Sequence, residues 1–308
     1  MLSPLAGVTD KIFRKLVRKW APDSLLFTEM INATSLKYGY GTQKIKQLEL
    51  EQGPIGVQIF DNRPFAVSEA AKLAEDSGAF LIDINMGCPV KKISRKGGGS
   101  ALINDRLLAV ELVKRVSNAV KVPVTVKTRL GWDNKEENIE EFLLSLQDAG
   151  AEMITLHGRT RKEGFSGKAD WEMIGKIKEL LEIPVIANGD IKNPKDAFNC
   201  FKKTNADGLM IGRGILGSPW KIGEIDYAIK ELKGFKEPNI EEKLLLITEH
   251  LDELIKEKGS HGLLIARKHI SWTCKNFQGA TNLRNKLVRA IDANEVKELI
   301  NKAITTLN

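Results

Sequence analysis

Short apolar runs rich in Val and Ile alternate along the whole first two-thirds of the chain with longer stretches of helical spacing. The runs are residues 25–28, 55–59, 81–85, 124–128, 153–156, 185–188 and 208–211, and a stub at 2–6 makes eight. Runs that are apolar throughout suit strands buried on both faces of a parallel sheet, with the intervening helices as crossovers. Eight such units in roughly 220 residues fit a closed (β/α)8 TIM barrel, an α/β fold. Helix starts are legible at Thr9-Asp10, Asn62-Arg63-Pro64, Asn104-Asp105 and Asn193-Pro194, where capping side chains or a first-turn proline precede helical spacing. The alternation ends after Gly217-Ser218-Pro219-Trp220, and from Ile240 onward only helical spacing remains. With residues 233–239 as a linker, the expectation is a barrel over 1–234 and an all-α helical bundle over 238–308.

A 308-residue chain with 42% hydrophobic and 28% charged residues is ordinary for a folded globular protein. No apolar run approaches the roughly 18 residues of a membrane span, and Met1-Leu2-Ser3-Pro4 does not open a secretory leader, so a cytoplasmic protein with no membrane partner is expected. The three cysteines, Cys88, Cys200 and Cys274, are too scattered for a disulfide framework or a metal site, and no metal is expected. The net charge of +7 is too modest to establish nucleic-acid binding by itself.

In a barrel, function collects at the carboxyl ends of the strands. Those ends carry Pro4-Leu5-Ala6-Gly7, Gln58, Asn85 with Cys88, Lys127 with Arg129, His157 with Arg159 and Arg161, Asn188-Gly189-Asp190, and Gly212-Arg213-Gly214. The last, extended to Gly217, spells GxGxxG, but it sits on the last βα unit without a following strand that ends in an acidic residue, so it is no Rossmann fingerprint. Glycine turns after strands seven and eight of a barrel instead make a phosphate site. Gln58, Asn85 and Lys127 at the mouth, with that site, suit a flavin mononucleotide; a lysine near N1 and O2 of the ring stabilises the reduced anion. His157 belongs to the same series. Cys88, in a proline-fixed loop followed by Lys91, Lys92, Arg95 and Lys96, reads as an exposed thiol whose pKa its surroundings tune, whereas Cys200 reads as core.

Pro4-Leu5-Ala6-Gly7-Val8-Thr9-Asp10, Asn85-Met86-Gly87-Cys88-Pro89, Lys127-Thr128-Arg129, His157-Gly158-Arg159-Thr160, Asn188-Gly189-Asp190 and Gly212-Arg213-Gly214 resemble the tRNA-dihydrouridine synthases. Arg267-Lys268-His269 and Gly279-Ala280-Thr281-Asn282-Leu283-Arg284 resemble the helical domain of the bacterial B-type branch. The resemblance covers nearly the whole chain, although Leu5 stands where the family usually has Met. It implies an FMN-bearing barrel, a tRNA-binding helical domain, NADPH as reductant, and reduction of uridine to 5,6-dihydrouridine in the D-loop of tRNA. It also implies Cys88 as the general acid that protonates C5 once hydride has reached C6. Asn85 would touch flavin and uracil; Gln58, Lys127 and His157 would hold the flavin ring, with Pro4, Leu5 and Ala6 beside it. Asn188, Gly189, Asp190, Gly212 and Arg213 would hold the phosphate arm, and Arg159 and Arg161 the uracil carbonyls or a neighbouring phosphate.

A uridine in folded tRNA must be flipped out to reach a barrel mouth, so phosphates around it need holding. Lys91, Lys92, Arg95 and Lys96 form one expected RNA surface. A second lies between Lys256 and Arg289, where eight cations, among them Arg267, Lys268 and Arg284, face a single acid, Glu257. The expected partner is therefore tRNA, bound by a monomer. Two alternatives remain open on the sequence: an FMN barrel acting on a free pyrimidine, like dihydroorotate dehydrogenase, and a non-enzymatic RNA-binding protein.

Overall fold

The structure is a computed structural model and describes residues 1–46, 48–133 and 138–307. The strands β1 (Leu26–Phe27), β2 (Ile31–Asn32), β3 (Ile55–Phe60), β4 (Leu81–Asn85), β5 (Val124–Arg129), β6 (Met153–His157), β7 (Val185–Asn188) and β8 (Gly208–Met210) form one parallel sheet. Its order is β1-β3-β4-β5-β6-β7-β8, with β2 also paired to β3. Leu2 closes the ring: it bridges Leu26 on one side and Ile211 on the other, both in the parallel sense. The Leu2 amide donates to Leu25 at 3.0 Å and the Ser3 amide to Ile211 at 2.9 Å, so the stub is one strand position of a TIM barrel.

The second strand position, expected as one run over 25–28, is broken between β1 and β2. At the break the Gln58 amide donates to the Thr28 hydroxyl at 3.2 Å, while the Thr28 amide donates to Gly56 at 3.0 Å. A side-chain oxygen thus takes the place of a backbone carbonyl, as at a bulge.

Helices connect successive strands from β3 onward: Pro64–Asp76, Arg106–Ser117, Ile139–Asp148, Trp171–Leu180 and Pro194–Thr204. Their starts follow local chemistry. Asp105 accepts from Leu108, Asp170 from Met173 and Asn193 from Asp196, and Pro64 and Pro194 open their helices. The strand residues Val57, Ile82, Ile84, Val126, Ile154 and Leu156 are fully or almost fully buried, as parallel strands covered on both faces require.

The chain divides into two compact units, residues 1–11 with 22–212, and residues 12–21 with 213–308. The second therefore contains most of the helix Lys11–Arg18, and the segment 213–234, both of which the sequence reading assigns to the barrel. The reason is the helix's apolar face: Ile12 joins the core of Leu244, Leu251, Leu254 and Ile270, and Leu16 packs with Trp220 and Leu246. The longest helix, Ile240–Lys258, begins in a capping box of Asn239 and Glu242, and His261–Thr273, Ala280–Leu287 and Ala293–Leu307 complete the bundle. No helix among the described residues is long and apolar enough to cross a membrane.

Candidate active site

Side chains two apart on a strand point the same way, so Asp83 with Asn85 on β4, and Thr125 with Lys127 on β5, share the inward face. They join Gln58 of β3 in a continuous relay. Gln58 donates from Nε2 to Asp83 at 2.6 Å, and Thr125 donates from Oγ1 to the other Asp83 oxygen at 2.7 Å. Asn85 donates from Nδ2 to Gln58 Oε1 at 2.7 Å, and its Oδ1 accepts the amides of Gly87 at 3.2 Å and Cys88 at 3.0 Å. The Cys88 loop thus hangs from a chain of side chains reaching into the barrel. Gln58 and Asp83 are fully buried, and burial pushes the Asp83 carboxyl up to about 6 against the pull of Gln58, Thr125 and Lys127.

Asn85 is in register with Lys127 on the neighbouring strand. Lys127 donates to Asn188 Oδ1 at 3.0 Å, while Asn188 Nδ2 donates to the Met210 carbonyl at 2.7 Å, which fixes the amide's direction. Desolvation, seconded by the charge of Arg129, pulls the Lys127 ammonium down to about 8, with Asp83 and Cys88 opposing. Cys88 is half-buried, and that burial pushes its thiol above the ordinary range despite Arg129 and Lys127. Burial outweighs the neighbouring cations, so the group is a thiol at neutral pH and has a proton to give.

Two buried arginines order the mouth, and neither has its expected or obvious place. Arg129 donates to Gly87 at 2.7 Å, Thr160 at 3.0 Å and Gly164 at 2.8 Å, tying the Cys88 loop to the loop after β6. Arg159, expected at the substrate, is 1% exposed. It donates to Ser166 at 2.8 Å, to Gly167 at 2.7 Å, and to both oxygens of Asp190 at 2.9 and 2.7 Å. Its remaining nitrogen lies 3.3 Å from His157 Nε2; a guanidinium only donates, so Nε2 accepts and the imidazole proton sits on Nδ1. Asp190, expected on the phosphate arm, is the partner of Arg159. Partial burial raises its carboxyl, but the Ala169 amide and Arg159 outweigh that and hold it below the usual carboxylate range. Between these clamps Phe165 stays 55% exposed, its ring 6.3 Å from that of His157 and 5.5 Å from the Arg129 guanidinium.

The other expected residues lie as follows. Pro4 and Leu5 are half-buried and Ala6 exposed in a turn where the Leu5 amide donates to Thr9 Oγ1 at 3.0 Å. Gly189 has φ 120°, and an added Cβ would come within 2.7 Å of Ala169. Gly212 follows β8, and Arg213, exposed, heads the turn Arg213–Ile215. Arg161 stacks on Trp132 at 4.4 Å, with its Nε buried and without a hydrogen-bond partner among the described residues. Lys91, Lys92, Arg95 and Lys96 are all exposed on the turn after Cys88. That turn packs so closely that a Cβ on Gly99, at φ 59°, would meet the Cys88 carbonyl at 3.0 Å. In the second unit Lys256, Lys275, Lys286 and Arg289 are exposed, Lys268 is half-buried, and the half-buried Arg267 and Arg284 donate to the Ala290 and Cys274 carbonyls, each at 3.3 Å. Among the described residues no group of three or more His, Cys, Asp and Glu is placed to hold a metal ion.

The residues fit a flavin. Asn85 and Lys127, donors of fixed direction, stand at the mouth with the fully buried Gln58 behind Asn85, and the Thr155 hydroxyl, in register with Lys127, is buried without a partner among the described residues.

The family model for dihydrouridine synthase matches residues 1–308. The chain belongs to the dihydrouridine synthase family. Among its relatives, the probable tRNA-dihydrouridine synthase 1 of Synechocystis sp. is 50% identical over 304 residues, which is 99% of this chain and 86% of that one. The probable tRNA-dihydrouridine synthase of Rickettsia prowazekii is 41% identical, over 97% of this chain and 92% of that one. The tRNA-dihydrouridine synthase B of Pseudomonas aeruginosa is 37% identical, over 95% and 88%. Among solved structures, morphinone reductase superposes with a TM-score of 0.54 over 79% of this chain and 88% of that one, at 12% identity. A histamine dehydrogenase from Rhizobium sp. gives 0.55 over 82% and 48%, at 16% identity. At such identities these two speak for the barrel fold alone.

Gln58, Asn85, Lys127 and Asn188 meet in this family member as hydrogen-bonded neighbours or in strand register. Asp83 and Phe165 are not among the strand-end residues that the sequence marks, and Arg129, which is, has no role assigned there. Asp83 had left a signal, a carboxylate between Ile82 and Ile84 inside an apolar run.

Proposed function

We propose that this chain is an FMN-dependent tRNA-dihydrouridine synthase that reduces uridine in the D-loop of tRNA to 5,6-dihydrouridine, with NADPH as the reductant. The observation that carries the reading is a thiol kept protonated by burial, on a loop hung from Asn85, one strand from a desolvated lysine. Bound FMN, once reduced by NADPH, would supply hydride to C6 of the pyrimidine. The negative charge left at C5 and O4 then needs an acid, and Cys88 gives its proton to C5.

Asn85 holds the flavin edge, oriented by the fully buried Gln58 behind it, and Lys127 sets a positive charge beside it. Gly189 and Gly212 give the phosphate arm a close backbone approach. Arg159 and Asp190 act beneath that arm, holding the loop after β6 and the His157 tautomer. Lys91, Lys92, Arg95 and Lys96 grip the phosphates beside the flipped nucleotide, and the exposed cations of the second unit form an RNA surface of their own. Membership of a family whose curated relatives are named for tRNA favours this over a barrel acting on a free pyrimidine.

Incubating the flavin-loaded protein and NADPH with bulk tRNA, against free uracil derivatives, tests the reading by the 2 Da mass gain of dihydrouridine. Gain on tRNA alone is expected; turnover of the free base with none of tRNA would sink the proposal.

A further inference from the structure

We propose that Asp83 is the positioning residue of this site: its buried carboxylate fixes the Gln58 amide, through it Asn85 and the Cys88 loop, and is the counter-charge of Lys127. The assignment rests on the flavin-binding reading above and goes beyond it.

A carboxylate buried between Ile82 and Ile84 is costly unless every lone pair is used and the charge is answered. Asp83 is 0% exposed, and its two oxygens are taken by Gln58 and Thr125 at 2.6 and 2.7 Å. Being an acceptor only, it obliges Gln58 to turn Nε2 inward. Gln58 Oε1 must then accept from Asn85, and Asn85 is left to receive the Gly87 and Cys88 amides on Oδ1. The relay runs from a group that cannot donate to two amides that cannot accept, so it has one direction.

Neutral asparagine would satisfy the same bonds, with Oδ1 accepting from Gln58 and Nδ2 donating to the Thr125 hydroxyl. What asparagine lacks is charge. Lys127 lies on the same inward face, one strand over and two residues beyond Asp83's partner Thr125. Among the described residues the charged groups that bear on Lys127 are Arg129, Asp83 and Cys88, and of these Asp83 is the anion at neutral pH. The two duties are therefore separable by substitution.

The test uses the full-length, flavin-loaded protein. Asp83→Leu removes the acceptor, and FMN is expected to bind at least about tenfold more weakly, the scale of one lost hydrogen bond to a charged group. Alkylation of Cys88 by iodoacetamide should speed up, with the buried Cys200 and Cys274 as internal controls. Asp83→Asn should restore FMN affinity to within about threefold, since each bond of the relay keeps a partner. The same Asp83→Asn variant should nevertheless move the alkaline break in the bound flavin's midpoint potential to lower pH, because Lys127 loses its anion.

An Asp83→Leu protein that folds, yet keeps wild-type FMN affinity and alkylation rate, overturns the positioning role; an unmoved break in Asp83→Asn overturns the counter-charge. Should Asp83→Leu fail to fold, Gln58→Leu cuts the relay one link further on, and an unchanged alkylation rate there overturns the positioning role. None of these readouts needs RNA. Wild-type protein that binds no FMN defeats the proposed function, whereas flavin-loaded protein insensitive at position 83 defeats only this assignment.

Discussion

In the proposed mechanism Cys88 gives a proton and does not attack. Its thiol is half-buried and shifted upward, and its loop is pinned through Asn85, so a catalytic thiolate has little support. Cys88→Ala should retain FMN and remain reducible by NADPH, while dihydrouridine formation falls by at least about 100-fold, as removal of a general acid does. Rapid-mixing absorbance and mass spectrometry of tRNA read the two halves separately. Lys127 makes a pH-dependent prediction. With its ammonium at about 8, flavin reduction should hold at pH 7 and decline as pH rises through 8, when the positive charge is lost. Lys127→Ala should remove that limb and slow reduction at every pH. Residues of this kind were legible in part. Gln58, Asn85 and Lys127 were recognisable because polar groups that end buried strands have few places to point. Arg159 and Arg161 look equivalent on paper, two positions apart after the same strand. Which of them turns inward depends on where Asp190 comes to lie, and that is set by β7 and its turn.

At the scale of elements, the parallel strands were readable because burial on both faces leaves unbroken apolar runs. The break between β1 and β2 was not, since it depends on Thr28 offering its hydroxyl to an amide from another strand. The loops of the mouth were also beyond sequence reasoning, because Arg129 binds carbonyls from two of them and backbone carbonyls carry no residue signature. Arg129→Met should loosen both loops together. Hydrogen exchange of residues 86–90 and 160–168 is expected to quicken by about tenfold or more, each bond to a charged donor being worth ~1.5–3 kcal/mol. Exchange that rises in one loop alone would show that the arginine does not couple them. The helix Ile240–Lys258 makes a prediction of its own, through His250 packed 4.5 Å from His269. Burial pulls His250 down to about 4 and, with His250 beside it, His269 to about 2. Both folded values lie below the unfolded value near 6.5, so the unfolded chain takes up more protons on acidification. The stability is fully present above pH 6.5 and is lost as pH falls, by roughly 3 kcal/mol at pH 4 from His250 alone. Urea titrations between pH 7 and 4 should show this slope, and His250→Phe should flatten it.

For the whole molecule, the distribution of charge matters more than the net +7. Lys286 and Arg289 are exposed on a segment whose only acid between Lys256 and Arg289 is Glu257. Reversing both charges should raise the KM for tRNA and lower the salt dependence of binding by about 0.9 in log–log slope for each phosphate no longer neutralised. Unchanged values would take RNA off this surface. The division of the chain carries a different kind of consequence. Because residues 12–21 are counted with 213–308, the backbone passes from one unit to the other three times, after residues 11, 21 and 212. No single scission can separate them, whether by a protease or by a gene boundary. A fragment ending near 234 would retain Ile12 and Leu16 but lose Leu244, Leu246 and Leu251, with which they pack. The two units are thus threaded through one another in sequence, and removing the helical part would strip the apolar face of the amino-terminal helix of its cover.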